Sequence, residues 1–281
     1  MRVLDRIAEV RKELDTARAD GRSIGFVPTM GALHEGHASL IRRSAAECER
    51  TIVSIFVNPL QFGPAEDFAL YPRDLDADLD VATAAGADLV FAPPVEEMYP
   101  APMATAVHVA GVGEGLEAAS RPGHFRGVAT VVAKLFAIAG TCRAYFGEKD
   151  YQQLLVVRRL AADLSLPVDI VGCPTVREPD GLARSSRNAY LSPAERGAAT
   201  ALYQALETAA GEVSAGERSA DRLRAAMGDI LAASPLIRPD YAEVADPLTL
   251  EPLARVEGQA RLLVAATVGT TRLIDNRGVR V

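Results

Sequence analysis

The chain has 281 residues, 49% hydrophobic and 24% charged, the balance of an ordinary soluble globule, which excludes disordered and collagen-like classes. Thirty basic against 37 acidic residues give a net charge of −7 with no basic block. That excludes bulk nucleic-acid binding but allows a local basic pocket for an anionic ligand. No apolar run approaches the roughly 18 residues of a membrane span. The N-terminus also lacks the apolar core and cleavage site of a signal peptide. Cys48, Cys142 and Cys173 are far apart and outside any C-x-x-C pattern, so they read as small buried hydrophobes of a reducing, cytoplasmic protein.

The first 21 residues place Leu4, Ile7 and Leu14 at helical spacing among charges. Ser23–Val27 then reads as a strand, Pro28–Leu33 as a turn-rich loop and Glu35–Arg50 as a helix. Thr51–Val57 is β-branched and continuously apolar, the pattern of a strand covered on both faces. A helix over Asp74–Ala85, a strand at Asp88–Phe91 and a helix over Val128–Ala139 follow. After them come a strand at Arg143–Phe146, a helix over Asp150–Leu164 and a strand at Val168–Gly172. This β-α alternation predicts an α/β fold with a doubly wound, Rossmann-like parallel sheet.

Beyond Pro174 the rhythm changes. Pro193–Ala210 and Ala220–Ala233 read as helices, and Tyr241–Val244, Arg261–Thr267 and Thr271–Asp275 as strands, the last two joined at Gly269-Thr270. Segregated helices and antiparallel strands predict a second, smaller α+β domain. The expected division is 1–175 for the Rossmann-like domain and 176–281 for a lid-like one.

The chemistry gathers where strands end and helices begin. Val27 through His37 runs from a strand through a glycine-bearing loop into a helix, the place where open α/β sheets bind ligands and where free N–H groups attract phosphate. His34 and His37, three apart, project from nearly one side of the first turn and can donate ring N–H groups to phosphate oxygens. One histidine alone would read as a helix cap; two around a glycine, after a strand, read as function. Phe146 through Gln153 repeats the strand-to-helix setting, with Lys149 suited to phosphates and Asp150 to a cap or a ribose hydroxyl. Asp180 through Asn188 offers two hydroxyls flanked by arginines, suited to wrapping an anion. Gln61 follows the apolar strand, and Arg121, His124 and Arg126 cluster before the helix at 128. Gly111 through Gly115 reads as a flexible run, His108 as a structural residue in a strand-like stretch, and Asp78 as a helix-surface residue.

In order along the chain, PTMGALHEGH, FVNPLQF, RPGHFRGV, FGEKDYQQL and DGLARSSRNAYL resemble the pantothenate synthetase (pantoate–β-alanine ligase) family. That family lies in the His-x-Gly-His nucleotidyltransferase superfamily with the class I aminoacyl-tRNA synthetases. The match spans about Gly25 to Leu191, and the ordered set is far more specific than His-x-Gly-His alone. The resemblance implies an ATP-dependent ligation: pantoate carboxylate attacks the α-phosphate, pyrophosphate leaves, and the amine of β-alanine displaces AMP from pantoyl adenylate. It implies ATP contacts from Met30, Gly31, Ala32, Leu33, His34, Glu35, Gly36 and His37, with His37 as proton donor. Gly147, Glu148, Lys149 and Asp150 would add phosphate and ribose contacts, with Lys149 among the catalytic groups. Val176 would meet adenine through its backbone, and Arg184, Ser185, Ser186 and Arg187 would form the flexible loop. Gln61 and Gln153 would hold pantoate, Gln61 also near β-alanine, and Arg121 is a candidate phosphate contact.

The resemblance further implies Mg2+ carried mainly by ATP, with no protein ligands assigned, and a cytoplasmic homodimer. Two positions depart from the family pattern: Arg184 stands where Leu or Met is usual, and Leu60 replaces a usual Met. The alternatives are another His-x-Gly-His nucleotidyltransferase and a catalytically inactive nucleotide sensor. The paired glutamines argue against the first, and intact His34, His37 and Lys149 against the second.

Overall fold

Apolar runs such as Phe26-Val27 and Thr51-Ile52-Val53 have no polar face to turn to water, and they lie buried in the middle of a sheet. The computed structural model describes residues 1–63, 68 and 71–281. It divides into two units: Met1–Glu148 with Gln152–Pro174, and Lys149–Tyr151 with Thr175–Val281.

In the first unit the chain runs β1 (Arg2–Leu4), α1 (Ile7–Ala19), β2 (Ile24–Thr29), α2 (Glu35–Glu47), β3 (Arg50–Ile55), α3 (Leu75–Ala84) and β4 (Leu89–Phe91). It continues through the short α4 (Val95–Met98) and α5 (Glu117–Ser120), then α6 (His124–Ala139), β5 (Cys142–Gly147), α7 (Tyr151–Asp163) and β6 (Val168–Cys173). All six strands are parallel, in the order β1-β4-β3-β2-β5-β6. From β2 the chain winds outward to β3 and β4 on one side, while β5 and β6 extend the other. The strand order therefore reverses at β2 and β5, and this switch point is where the doubly wound architecture leaves a crevice at the carboxyl edge. Val27, Ile41, Val53, Val90 and Tyr145 are fully buried in one core of this unit.

The second unit holds α8 (Pro193–Ala198), α9 (Ala201–Ser214), α10 (Ala220–Ala232), β7 (Ile237–Ala245), β8 (Gln259–Val268) and β9 (Thr271–Arg280). Its three strands are antiparallel, β7-β8-β9, and α9 and α10 bury Leu202, Leu206, Leu223 and Met227 with Leu262 and Val264 of β8. The expected fold class, a doubly wound parallel sheet with a smaller α+β part, is the one observed.

Several boundaries differ from expectation. Residues 2–4 are a strand beside β4, not the start of a helix, and α1 begins only at Ile7. The helix expected to reach Arg50 stops at Glu47, because Cys48 is extended and Glu49 receives the Ser23 N–H at 2.8 Å, drawing the chain into β3. The helix expected over Pro193–Ala210 is two helices. At the break the Thr200 hydroxyl donates to the Gly197 carbonyl at 2.8 Å, a side chain competing with the helical ladder. α6 begins a turn early, at His124, and the stretch around His108 forms no strand. The C-terminal strands all run longer than expected, since antiparallel pairing carries their charged outer residues along.

Candidate active site

β2 delivers the chain to Met30 at the carboxyl edge of the sheet, and α2 begins five residues later. The joining loop takes a left-handed backbone at Gly31 (φ 85°) and at Ala32 (φ 50°). A non-glycine residue in that region is strained, so something must hold it. The holder is Asp78 of α3. Its Oδ2 accepts the Ala32 N–H at 3.1 Å and its Oδ1 the Leu33 N–H at 2.6 Å. A Cβ at Gly31 would come within 2.8 Å of the same carboxylate, so the loop and the acid are fitted to each other. Asp78 is 4% exposed and not the surface residue its helix pattern suggests. Burial pushes its carboxyl above the ordinary value, against the opposing pull of the two amide donors.

α2 opens with a reciprocal cap built from the two histidines. His34 Nδ1 accepts the Gly36 N–H at 3.1 Å, and His37 Nδ1 accepts the His34 N–H at 3.3 Å. The rings lie 4.2 Å apart, centroid to centroid, tilted by 38°. An N–H can only donate, so both Nδ1 atoms act as lone-pair acceptors and the neutral tautomer of each ring carries its proton on Nε2. Capping and catalysis are therefore not rival readings of this pair. Glycine at 36 is a steric requirement, since a Cβ there would meet the His34 ring at 2.8 Å.

The RPGHFRGV and NPLQF segments meet around Gln61, which is 7% exposed. Its side-chain Oε1 accepts from Asn58 Nδ2 at 3.1 Å, and its Nε2 lies 2.7 Å from Met30 Sδ. His124 Nδ1 donates to the Gln61 backbone carbonyl at 2.9 Å, and Arg121 Nη1 sits 3.0 Å from His124 Nε2. A carbonyl on one side and a guanidinium on the other fit a neutral His124 with its proton on Nδ1. Arg121 is thus joined through His124 to the glutamine segment. Gln153 lies half-buried in the first turn of α7.

Gln152, beside it, has no role in the sequence pattern. It is 3% exposed; its Oε1 accepts the Glu117 N–H at 3.0 Å, and its Nε2 faces the carbonyls of Val112, Glu114 and Gly115 at 3.0–3.2 Å. The glycine run 111–115 is accordingly a pinned turn and not a slack one.

In the second unit, Lys149 and Asp150 pair at 3.5 Å, and the Lys149 carbonyl accepts from Asn276 Nδ2 at 2.8 Å. The 175–188 stretch folds back on itself: the Arg184 N–H donates to the Val176 carbonyl at 2.9 Å, and Arg177 bridges to Ala183. Ser185 Oγ accepts the Arg187 N–H at 3.3 Å as the cap of a 3-10 turn, Ser186–Tyr190. Arg184, the departure from the family pattern, pairs with Glu178 at 3.0 Å. The anchor of the whole stretch is Arg177. It makes a two-pronged pair with Asp275 at 2.6 and 2.9 Å, donates to the Gly181 carbonyl and stacks 4.8 Å from the Tyr203 ring. Asp275 and Asn276, adjacent on β9, thus brace the loop and the Lys149 segment; neither belongs to a recognisable motif.

Among the described residues no group of three His, Cys, Asp or Glu could hold a metal ion. A cavity of about 300 Å³ opens at the amino-terminal edge of the sheet, the edge away from the histidine loop. Its charged residues are already paired, Arg2 with Glu13 and Arg50 with Asp88.

Comparison with known proteins agrees over the whole length. The family model for pantoate-β-alanine ligase matches residues 2–278. Pantothenate synthetases of Roseiflexus sp. (strain RS-1) and Moorella thermoacetica are 57% and 55% identical, each alignment covering 98% of both chains. The crystal structure of pantothenate synthetase from Thermus thermophilus superposes with a TM-score of 0.94 at 50% identity, covering 99% of both chains. The pantoate-β-alanine ligase from Francisella tularensis, solved with β-γ ATP and β-alanine, gives 0.81 at 33% identity, covering 99% of this chain and 97% of that one. With the family model and these relatives spanning nearly every residue, the chain belongs to the pantoate-β-alanine ligase family.

Proposed function

We propose that the residues described above carry an ATP-dependent ligation of pantoate to β-alanine through pantoyl adenylate. The chain is an amide-forming ligase of this family, and family membership supplies the overall reaction. A pantoate carboxylate oxygen attacks the α-phosphorus of ATP and pyrophosphate departs. The β-alanine nitrogen then attacks the acyl carbon, loses a proton and expels AMP.

Both steps place negative charge on phosphate oxygens, which calls for positioned donors and not for a covalent protein group. The single observation that carries the assignment is the paired-histidine cap. With both Nδ1 atoms accepting backbone N–H groups, the proton of each neutral ring sits on Nε2, the donor type that phosphate oxygens call for. His34 and His37 donate to the phosphates, His37 also as the proton donor. Met30 through His37 form the nucleotide loop, in which Ala32 and Leu33 act through their fixed backbone because Asp78 already accepts their N–H groups.

Gly147, Glu148 and Lys149 contribute phosphate contacts and Asp150 a ribose contact. Val176 meets the adenine, and Arg184, Ser185, Ser186 and Arg187 serve the triphosphate side. Gln61 and Gln153 hold pantoate, Gln61 also near β-alanine, and Arg121 is a supporting positive charge. Magnesium enters with the nucleotide phosphates. The described residues form no cage for it, and the buried carboxylate of Asp78 is committed to loop amides, so no step is routed through the ion.

The same reading makes the protein a cytoplasmic homodimer. Three free, buried cysteines suit a reducing compartment, and among the described residues no helix is long and apolar enough to cross a membrane. The decisive assay is AMP release by the purified protein from ATP. Release is expected only when pantoate and β-alanine are both present for full turnover, and release independent of either acid overturns the assignment.

A further inference from the structure

Gln61 is useful to a hydroxy acid only if its amide points the right way, since the two ends of a carboxamide have opposite hydrogen-bonding character. The structure fixes that orientation by chemistry. The Gly127 carbonyl can only accept and the Leu60 N–H can only donate. Asn58 therefore turns Nδ2 toward Gly127 (3.2 Å) and Oδ1 toward Leu60 (3.2 Å). Its second Nδ2 hydrogen goes to Gln61 Oε1 at 3.1 Å, which leaves Gln61 Nε2 as the donating end, one hydrogen directed at Met30 Sδ (2.7 Å) and the other available to a ligand oxygen. Asn58 is 1% exposed, so a wrong orientation would bury mismatched groups.

The remaining partner of Asn58 lies outside every motif. The Tyr99 hydroxyl donates to Asn58 Oδ1 at 2.8 Å, the shortest bond in the set. Tyr99 is itself placed by an edge contact with Phe56 (5.8 Å) and by Lys134, whose Nζ donates to the Met98 carbonyl and lies 5.6 Å from the Tyr99 ring. A phenol facing an amide that already receives a backbone N–H at the same oxygen must donate, so it reinforces one orientation only.

We infer that Tyr99 is a positioning residue for pantoate: through Asn58 it locks the Gln61 amide so that Nε2–H is presented to a carboxylate or hydroxyl oxygen of the acid. This rests on the assignment of Gln61 to pantoate.

Steady-state kinetics of the full-length enzyme test it, with Tyr99→Phe, Gln61→Ala and the double variant. Tyr99→Phe keeps the ring and its packing and removes one oxygen. It is expected to raise the KM for pantoate by about three- to tenfold, the effect of one lost buried hydrogen bond, and to leave the KM for ATP and the melting temperature close to wild type. In the Gln61→Ala background the same change is expected to add nothing to the pantoate KM. If Gln61→Ala raises the pantoate KM and Tyr99→Phe does not, the positioning role is wrong. A further rise in the double variant equally overturns it, because Tyr99 would then act by another route. If Gln61→Ala leaves the pantoate KM unchanged, the assignment of Gln61 itself fails, and the inference falls with it.

Discussion

The two loops that bear the candidate ATP contacts keep their shapes by different means. In the first unit, residues 31–37 are held through backbone N–H groups: two go to the buried Asp78 and two to histidines within the same turn. In the second unit, residues 177–188 are held by a guanidinium, Arg177, reaching a carboxylate 98 positions away. The first loop is braced half by its own turn and half by an acid 45 positions on, and the second by the far end of the chain. A locally braced loop can be read from its motif; a remotely braced one shows its ligand-facing residues but not what keeps them in place.

That contrast yields a graded set of outcomes. His37→Ala removes a donor and half of the cap together, and is expected to lower the ligation rate by roughly 10²–10⁴-fold. Near-normal turnover in the AMP assay would reduce the pair to a capping device. Asp275→Ala leaves Arg177 without its partner in a largely buried setting, so a loss of about 3–5 kcal/mol in denaturant unfolding is expected. A loss below about 1 kcal/mol would show that the loop does not depend on its remote anchor. Asp78→Asn keeps the shape but sets an NH2 group against one of the two loop N–H groups, with an expected cost of about 1–3 kcal/mol.

The same variant carries a pH signature. Because burial raises the folded-state value of Asp78, the native protein binds this proton at a pH where the unfolded chain has released it. Wild-type stability relative to Asp78→Asn should therefore rise as pH falls from the raised folded value to the ordinary one near 3.8. A flat difference across acidic pH would contradict the buried anion. Arg184→Leu, at a partly exposed pair, should change stability by no more than about 1 kcal/mol. A larger loss would mean the arginine has taken on a bracing task in this chain.

The legible parts of the molecule are those whose cause is local. Strand β3 announces itself through Thr51-Ile52-Val53, and the histidine pair through a three-residue spacing after a strand. Asp78 reads wrongly as a surface residue because one acid in the helix LDADLDVATA looks like its neighbours until the fold turns it inward. Gln152, Asp275 and Asn276 stay hidden for the same reason: each is an ordinary polar residue with a bracing partner at least 35 positions away. The N-terminal strand is equally hard to see, because three residues paired to β4 carry too little pattern to stand out from a helical spacing.

The histidine cap also bears on what substitutions this position can accept. An imidazole has two nitrogens on opposite edges; here the inner edge builds the helix start, and the proposed function gives the outer edge to the ligand. Asparagine can imitate the inner edge, since its carbonyl accepts a backbone N–H as a helix cap, but it is too short to supply the outer one. No single common side chain reproduces both edges at once, so drift at position 34 or 37 must give up either the architecture of the turn or its chemistry.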